Sequence, residues 1–262
     1  MPYAHGVHIH YETEGQGPPL VLQYGQYWPL EIWYEMNYVS VLKNDCQLIL
    51  VDARGQGKSD KPDNPEAYRI ELMVSDIIAV VDDLGFEKVH YMGYSSAGLV
   101  GFGIAKFTPE RLSSLIIGGA DPYEDRVDRL PWRNEQIQTL EKQTVEDFVA
   151  GIEQFLPTAN LPPLSPRLRT AMLMHDPRAL IAWLRQSAEW PSFEDILGAI
   201  SVPCLLYAGE DAEEYSQVHK ATQEIQDATF VGIPDGGHLE GGTWVHVLRL
   251  HITKIVATAS PT

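Results

Sequence analysis

A serine lies in a tight turn where the sequence changes from strand-like to helix-like character. Residues 89–94 are rich in β-branched and aromatic side chains, and small and apolar residues at helical spacing follow the turn. Ser95 stands two residues after Gly93 and two before Ala97, and such small neighbours fit a strained backbone. The pattern predicts that the Ser95 hydroxyl is lifted clear of a sheet edge as a nucleophile. An ordinary strand-to-helix turn capped by Ser95 or Ser96 is the alternative.

Two later segments offer the acid and the base that a nucleophilic serine requires. Residues 202–208 have strand character and end at a glycine that is followed by Glu210 and Asp211. Carboxylates in that position lie at the carboxyl end of a strand, where ligand sites of α/β proteins form. His238 follows two glycines after the last predicted strand, residues 229–233. These side chains are the candidates for an acid and a general base.

These segments resemble the α/β-hydrolase superfamily. The turn at residues 93–98 is similar to its Gly-x-Ser-x-Gly nucleophile elbow, with Ala97 in place of the last glycine. Residues 52–60, Asp-Ala-Arg-Gly-Gln-Gly-Lys-Ser-Asp, are similar to a mostly structural segment of the same superfamily. The resemblance implies an α/β-hydrolase fold, with a mostly parallel central sheet of about eight strands flanked by helices and a helical cap insertion.

The resemblance also implies a catalytic triad. Ser95 would be the nucleophile, Asp211 the acid and His238 the base, in the chain order serine, acid, histidine. The superfamily usually has the acid in a Gly-x-x-Asp turn, whereas Asp211 here follows Gly209 with only one residue between them. Glu210 therefore stays an alternative acid. Asp121 is a further alternative, because some members draw the acid from the end of the preceding strand.

Two backbone N–H groups are the expected oxyanion hole. The superfamily usually carries His-Gly-x after its second core strand, and residues 24–26 are Tyr-Gly-Gln here. By this resemblance the N–H of Gln26 is one donor and the N–H of Ser96 is the other. A main-chain donor survives the replacement of the histidine by Tyr24. The hydroxyl of Ser96 is expected to be expendable.

The strand rhythm stops between two parts of the predicted core. Residues 1–121 and 196–262 are expected to form the hydrolase core, and residues 122–195 a helical cap. Within the cap, residues 145–155 and 177–187 have apolar positions at helical spacing and are predicted to be amphipathic helices. Caps of this kind roof the active site in the superfamily.

Aromatic and apolar residues near these motifs are the candidate substrate pocket. The candidates are Tyr24, Tyr27, Trp28, Tyr94, Trp183 and Leu239. Because no Arg or Lys clamp stands among the motif residues, we expect a neutral, moderately apolar ester or lactone as the substrate. A carbon–carbon bond hydrolase and a metal-free perhydrolase use the same triad and are alternatives. A ligand-sensing protein with little turnover is the alternative from another class.

Composition narrows the partners further. The chain has 262 residues, with 19 Lys and Arg against 36 Asp and Glu, and a formal net charge of −17 disfavours nucleic acid and anionic lipid. Cys46 and Cys204 are the two cysteines and give no disulfide framework or metal-ligand spacing. No dinucleotide fingerprint or phosphate loop is present, so we expect no cofactor and no metal. The sequence shows neither a leader nor a run of about 18 apolar residues, and predicts a cytoplasmic protein. Its oligomeric state is left open by the sequence, with a homodimer as one possibility.

Overall fold

A computed structural model gives the fold and describes residues 1–123, 130–159, 161–239 and 244–258. Residues 124–129 and 160 of the predicted cap lie outside the described residues. The strands are β1 (Tyr3–Ala4), β2 (Val7–His8), β3 (Tyr11–Glu14), β4 (Pro19–Gln23), β5 (Gln47–Val51), β6 (Val89–Tyr94), β7 (Leu112–Gly118), β8 (Cys204–Gly209) and β9 (Ala228–Ile233). The helices are α1 (Ile32–Glu35), α2 (Tyr38–Leu42), α3 (Ile70–Asp83), α4 (Ser96–Phe107), α5 (Leu130–Leu140), α6 (Val145–Phe155), α7 (Pro166–Met172), α8 (Pro177–Ser187), α9 (Tyr215–Glu224) and α10 (Val245–Thr258).

The central sheet has the spatial order β3-β5-β4-β6-β7-β8-β9. β3 is antiparallel to β5, and the other neighbouring pairs are parallel. Its inner strands are continuous apolar runs such as Leu20–Leu22 and Leu48–Leu50, which are fully buried because helices flank the sheet. Parallel strands bring their carboxyl ends to one edge, so the turns after β4, β6, β8 and β9 meet there. The predicted α/β-hydrolase fold is confirmed.

The first strand differs from the prediction. The alternation of side chains along residues 7–11 predicts one strand. In the structure, β2 instead pairs with β1 in a separate two-stranded ribbon, and the sheet begins at Tyr11. The break falls at His10, whose backbone N–H donates to Ser59 Oγ at 2.8 Å instead of to a strand. The sheet that the structure describes therefore has seven strands rather than about eight.

Helices replace strands between β7 and β8. The predicted helices at 145–155 and 177–187 are confirmed as α6 and α8. A capping box between Thr144 and Asp147 begins α6, and the Asp176 side chain caps the start of α8. α8 packs against the short 3₁₀ turn at Pro65–Tyr68 of the core, so this insertion lies directly on the core. The division into a core and a cap with the predicted boundaries stays a prediction.

The Asp-x-Arg-Gly segment after β5 is held by a buried ion pair. The Arg54 guanidinium binds both carboxylate oxygens of Asp76 on α3, with Nε and Nη2 each 2.6 Å from oxygen. Its remaining donors reach the carbonyl oxygens of Ala67 and Leu72, at 2.5 and 3.3 Å. Both charged side chains are almost fully buried, so each depends on the other for compensation.

We predict that Asp76→Ala lowers the free energy of unfolding by about 3–5 kcal/mol, because it leaves the Arg54 charge buried without a partner. Urea denaturation followed by circular dichroism measures this. Asp82→Ala is the control, since Asp82 pairs with Arg111 but is 61% exposed, and should cost less than ~1 kcal/mol. Equal losses in the two variants would contradict the prediction.

Candidate active site

Ser95 lies at the turn between β6 and α4 and has a backbone conformation that residues other than glycine rarely adopt. Its φ is 57° and its ψ is −130°. The strain is held in place by hydrogen bonds from the Ser95 N–H to the Gly118 carbonyl, at 2.8 Å, and from the Gly98 N–H to the Ser95 carbonyl, at 2.7 Å. A Cβ at Gly93 would collide with the Ala97 carbonyl oxygen, which is why the position requires glycine. The predicted elbow is thus formed with Ser95 at its apex.

The His238 ring joins Ser95 to a carboxylate. His238 Nε2 lies 3.0 Å from Ser95 Oγ, and Nδ1 lies 2.5 Å from Oε1 of Glu214. Because an ionised carboxylate only accepts hydrogen bonds, Nδ1 carries the ring proton of the neutral imidazole. Nε2 is then the acceptor for the Ser95 hydroxyl, which is the geometry of a general base.

Two contacts fix the His238 loop over the sheet edge. The hydroxyl of Tyr94 donates to the His238 carbonyl oxygen at 2.5 Å, and the two rings lie 5.6 Å apart between centroids. Gly119, with a φ of 58°, leaves the space that the imidazole needs, since a Cβ there would lie 3.2 Å from His238 Cε1. Tyr94, a candidate pocket residue, thus lies beneath the loop and supports it.

The carboxylate on His238 is Glu214, which corrects the expected Asp211. The Asp211 N–H donates to the Gly236 carbonyl at 3.0 Å and so ties the turn after β8 to the histidine loop, but the Asp211 side chain is exposed. Glu210 is also exposed. Asp121 Oδ1 accepts the Tyr123 N–H at 3.2 Å. Among the described residues, the only side chains bonded to the His238 ring are those of Ser95 and Glu214.

Glu214 is the functional residue that the sequence reasoning missed. It precedes α9, so its longer side chain reaches back from the start of that helix to the histidine loop. The residue is 5% exposed, whereas an acidic residue that merely caps a helix is usually solvated. The sequence signal was a second pair of carboxylates, Glu213 and Glu214, three residues beyond the first pair. Nothing in that local pattern says which of the four faces inward.

The expected oxyanion donors are next to Ser95. A Cβ at Gly25 would lie 2.7 Å from the Cβ of Ser95, so only glycine allows the loop after β4 to pass this close. The Gln26 N–H donates to Ser96 Oγ at 3.0 Å. The Ser96 N–H is the first amide of α4 and has no acceptor within its helix. The hydroxyl of Ser96, expected to be expendable, therefore has a defined partner.

A cavity of about 230 Å³ lies between the first helices of the core and the helical insertion. It is bounded by Tyr24 of the loop after β4 and by Leu239, which follows His238. Its remaining lining residues are Trp28, Ile32, Glu35, Met36, Asn37, Leu156, Leu161, Pro162, Pro163, Leu164, Leu168 and His246. Apolar side chains predominate, and no Lys or Arg occurs in this described lining.

The other candidate pocket residues are separated from this cavity. Trp183 is buried, packs edge-on against Trp190 and lines a much smaller cavity together with Ser96. Tyr27 packs against Phe148 of α6, with ring centroids 5.1 Å apart. Of the candidate pocket residues, Tyr24, Trp28 and Leu239 line the cavity of about 230 Å³.

The phenols near the elbow carry no charge. Burial raises the pKa of Tyr24 and of Tyr27 above the usual value for a tyrosine, so both hydroxyls stay protonated at neutral pH. They therefore add neither a base nor an anion to the walls around Ser95. Among the described side chains, His238 is hydrogen-bonded to Ser95, and Glu214 is hydrogen-bonded to His238.

No group of three or more His, Cys, Asp or Glu suited to a metal occurs within residues 1–123, 130–159, 161–239 and 244–258. Over the same residues, no helix combines the length and the apolar character needed to cross a bilayer.

Residues 18–239 match the sequence model of the alpha/beta hydrolase fold family. With this match, the strained serine elbow and the parallel sheet, the chain belongs to the α/β-hydrolase fold family. The match ends one residue after His238 and includes all three side chains of the Ser95–His238–Glu214 arrangement.

Curated relatives within the family have different activities. A putative 2-succinyl-6-hydroxy-2,4-cyclohexadiene-1-carboxylate synthase from Bacillus subtilis is 28% identical over 210 residues, which cover 74% of this chain and 75% of the relative. A cis-3-alkyl-4-alkyloxetan-2-one decarboxylase from Shewanella oneidensis is 37% identical over 114 residues, which cover 43% of this chain and 35% of the relative. Mouse epoxide hydrolase 4 is 31% identical over 114 residues, 43% of this chain and 31% of the relative. The match thus spans about a third of the length of the last two.

Solved structures with the same fold include esterases and a lactonase. A thermophilic esterase from Thermogutta terrifontis superposes with a TM-score of 0.80 and 22% identity, covering 97% of this chain and 95% of the other. The enol-lactonase from Burkholderia xenovorans gives a TM-score of 0.77 at 18% identity, covering 98% of this chain and 97% of the other. At these identities the likeness establishes the fold.

We predict that Glu214→Gln slows the reaction of Ser95 with a fluorophosphonate probe by roughly 10³-fold or more, because the amide no longer favours the Nδ1–H tautomer or stabilises the imidazolium. Asp211→Asn and Glu210→Gln are the matched controls and should react within about twofold of the unmodified protein. Labelling rates followed by intact-protein mass spectrometry measure this. A larger effect from Asp211→Asn than from Glu214→Gln would contradict the assignment.

Proposed function

We propose that the protein is a serine hydrolase that cleaves a neutral, moderately apolar carboxylic ester or lactone through an acyl-enzyme. The observation that carries the proposal is the continuous hydrogen-bonded path from Glu214 through His238 to the hydroxyl of Ser95. This arrangement is suited to acyl transfer because it removes a proton from the hydroxyl as its oxygen attacks a carbonyl.

The reaction has two halves. In the first, Ser95 Oγ bonds to the carbonyl carbon, its proton passes to His238 Nε2, and the tetrahedral intermediate collapses as the leaving oxygen takes that proton. In the second, a water gives its proton to Nε2 and its oxygen to the acyl carbon, and Ser95 recovers the proton as the acid departs. Glu214 stabilises the imidazolium in both halves, and the Ser96 N–H at the start of α4 stabilises the oxyanion.

The cavity supports the substrate class. A mostly apolar space of about 230 Å³ without a Lys or Arg side chain favours a hydrocarbon group over a carboxylate or phosphate. A cavity of about 150 Å³ holds a benzene ring, so this one has room for roughly eight or nine carbon atoms. Its lining includes Tyr24, which precedes Gly25, and Leu239, which follows His238, and this supports the binding of such a group beside Ser95.

The serine itself argues against epoxide opening, the activity in the names of several relatives. Attack of an alkoxide on an epoxide carbon gives an ether, which has no carbonyl for water to attack and no oxyanion for the amides to hold. A Ser95 ether would therefore not be released by this arrangement. Acyl transfer from an ester or lactone leaves an acyl-enzyme that the same groups hydrolyse.

We predict that the protein hydrolyses p-nitrophenyl butyrate and that Ser95→Ala abolishes this turnover, because the covalent route is lost. Ser75→Ala on α3 is the matched control and should keep full activity. The specificity constants of esters, lactones and a vinylogous diketone, measured in parallel, rank the substrate classes. Saturable ligand binding without ester turnover or fluorophosphonate labelling would instead favour a sensor.

We predict that Leu164→Trp shifts the chain-length preference, because the indole fills the cavity from the side of the insertion. Loss of two or three buried methylenes corresponds to about 2 kcal/mol, so kcat/KM for the octanoate ester should fall roughly 30-fold. The acetate ester should stay within about twofold. Leu173→Trp is the control, since Leu173 is also half-buried but lies outside the cavity lining. Equal losses on acetate and octanoate would contradict the assignment of the cavity.

A further inference from the structure

Among the described residues, the Ser96 hydroxyl accepts one hydrogen bond and donates none. Ser96 Oγ accepts the Gln26 N–H at 3.0 Å. Within the described part of the chain, no hydrogen bond is donated by this hydroxyl. A serine hydroxyl that accepts one bond still carries a proton that can rotate toward another acceptor. That proton is available to a substrate at the elbow.

The same oxygen lies beside the amide that the resemblance assigns to the oxyanion hole. In the proposed reaction the oxyanion lies next to the N–H of Ser96 and close to the loop that contains Gln26. Ser96 Oγ belongs to the first of these residues and lies at hydrogen-bonding distance from the amide of the second. Because the Gln26 N–H donates to this hydroxyl, it can stabilise an oxyanion only indirectly, by polarising the Ser96 O–H bond.

We propose that Ser96 supplies two oxyanion donors, its backbone N–H and its side-chain O–H, and that the Gln26 N–H polarises that hydroxyl. The inference rests on the proposed acyl-transfer function and names a further catalytic group in the same site. A hydroxyl that accepts a hydrogen bond becomes a stronger donor, and the effect grows where water is excluded. No proton leaves Ser96, and its O–H bond remains intact throughout.

The loop around Gln26 is built to keep this hydrogen bond in place. Gln56 is buried, and its Nε2 lies 3.4 Å from the Gly25 carbonyl oxygen on the other side of the peptide that ends in the Gln26 N–H. Tyr27 follows with a φ of 73°, which turns the chain sharply away from the elbow. The peptide between Gly25 and Gln26 is thus held from both ends, with its N–H directed at Ser96 Oγ.

A competing interpretation is that Ser96 Oγ simply masks the Gln26 N–H in the resting state. The hydroxyl would then have to be displaced before an oxyanion could bind. In that case removal of the hydroxyl frees a donor and raises the rate. The two interpretations predict opposite signs for the same substitution, so one variant separates them.

The test is Ser96→Ala, measured with p-nitrophenyl butyrate. Loss of one oxyanion donor typically lowers kcat by 10²–10³-fold, so we expect a fall in kcat of about 100-fold with KM within about threefold. A trifluoromethyl ketone, which forms an oxyanion-bearing adduct with Ser95, should bind about 100-fold more weakly. A purely structural role of the hydroxyl would not weaken that adduct while leaving KM unchanged.

Controls separate this inference from the proposed function. Ser75→Ala removes a serine hydroxyl from another helix and should change neither kcat nor inhibitor affinity. Ser96→Ala should still be labelled to completion by a fluorophosphonate, only more slowly, because Ser95 and His238 remain. Ser96→Thr keeps a hydroxyl and should recover most of the lost rate.

The outcomes are distinct. Unchanged or increased kcat in Ser96→Ala overturns the inference and leaves the serine hydrolase proposal intact. If the unmodified protein hydrolyses no ester, the proposed function fails, and a slower fluorophosphonate reaction of Ser96→Ala still supports the second donor. Absence of both turnover and labelling in the unmodified protein overturns both.

Discussion

The strained backbone at Ser95 is the constraint on which the rest of the site depends. With a φ of 57°, the residue cannot relax into β6 or into α4, so its side chain projects from the junction between them. The end of β6 and the loops after β4 and β7 must then pass this junction without side-chain obstruction. Gly25, Gly93 and Gly119 each pass where an added Cβ would collide with the elbow, its helix or the rings beside it. The elbow thereby determines the path of the oxyanion loop and the space left for the imidazole.

The sheet provides the second half of the arrangement by bringing distant segments to one edge. β8 and β9 are parallel neighbours, so the turn with Glu214 and the loop with His238 both leave the sheet on the side of Ser95. The Asp211 N–H bonded to the Gly236 carbonyl joins those two loops directly. Glu214 is therefore positioned by backbone pairing as much as by its own side chain. This explains how a residue outside the expected turn can complete the path to His238.

Sequence patterns predicted the parts of this molecule that local physics determines. The elbow could be predicted because a positive φ requires small neighbouring residues. Helices α6 and α8 could be predicted because their apolar spacing and their capping residues are local features of the sequence. The acid could not be predicted in this way. Four carboxylates lie between residues 210 and 214, and only the folded loops determine which of them faces inward. The prediction of one strand at 7–11 was wrong for a related reason, since the His10 N–H that interrupts it donates to Ser59, about fifty residues away. Long-range hydrogen bonds leave little trace in a local pattern.

The same distinction applies to the oxyanion hole. The resemblance predicted two backbone N–H donors, at Gln26 and Ser96. Because a backbone donor does not depend on the side chain of its residue, the resemblance assigned no role to the Ser96 hydroxyl. The structure places that hydroxyl on the half-buried Gln26 amide, which would otherwise need a substrate or water as its acceptor. Satisfying the amide within the protein avoids the cost of an unpaired donor in the resting state. It also leaves the hydroxyl proton of Ser96 able to rotate toward a substrate, so the proposed transition state can use this group without rearranging the loop.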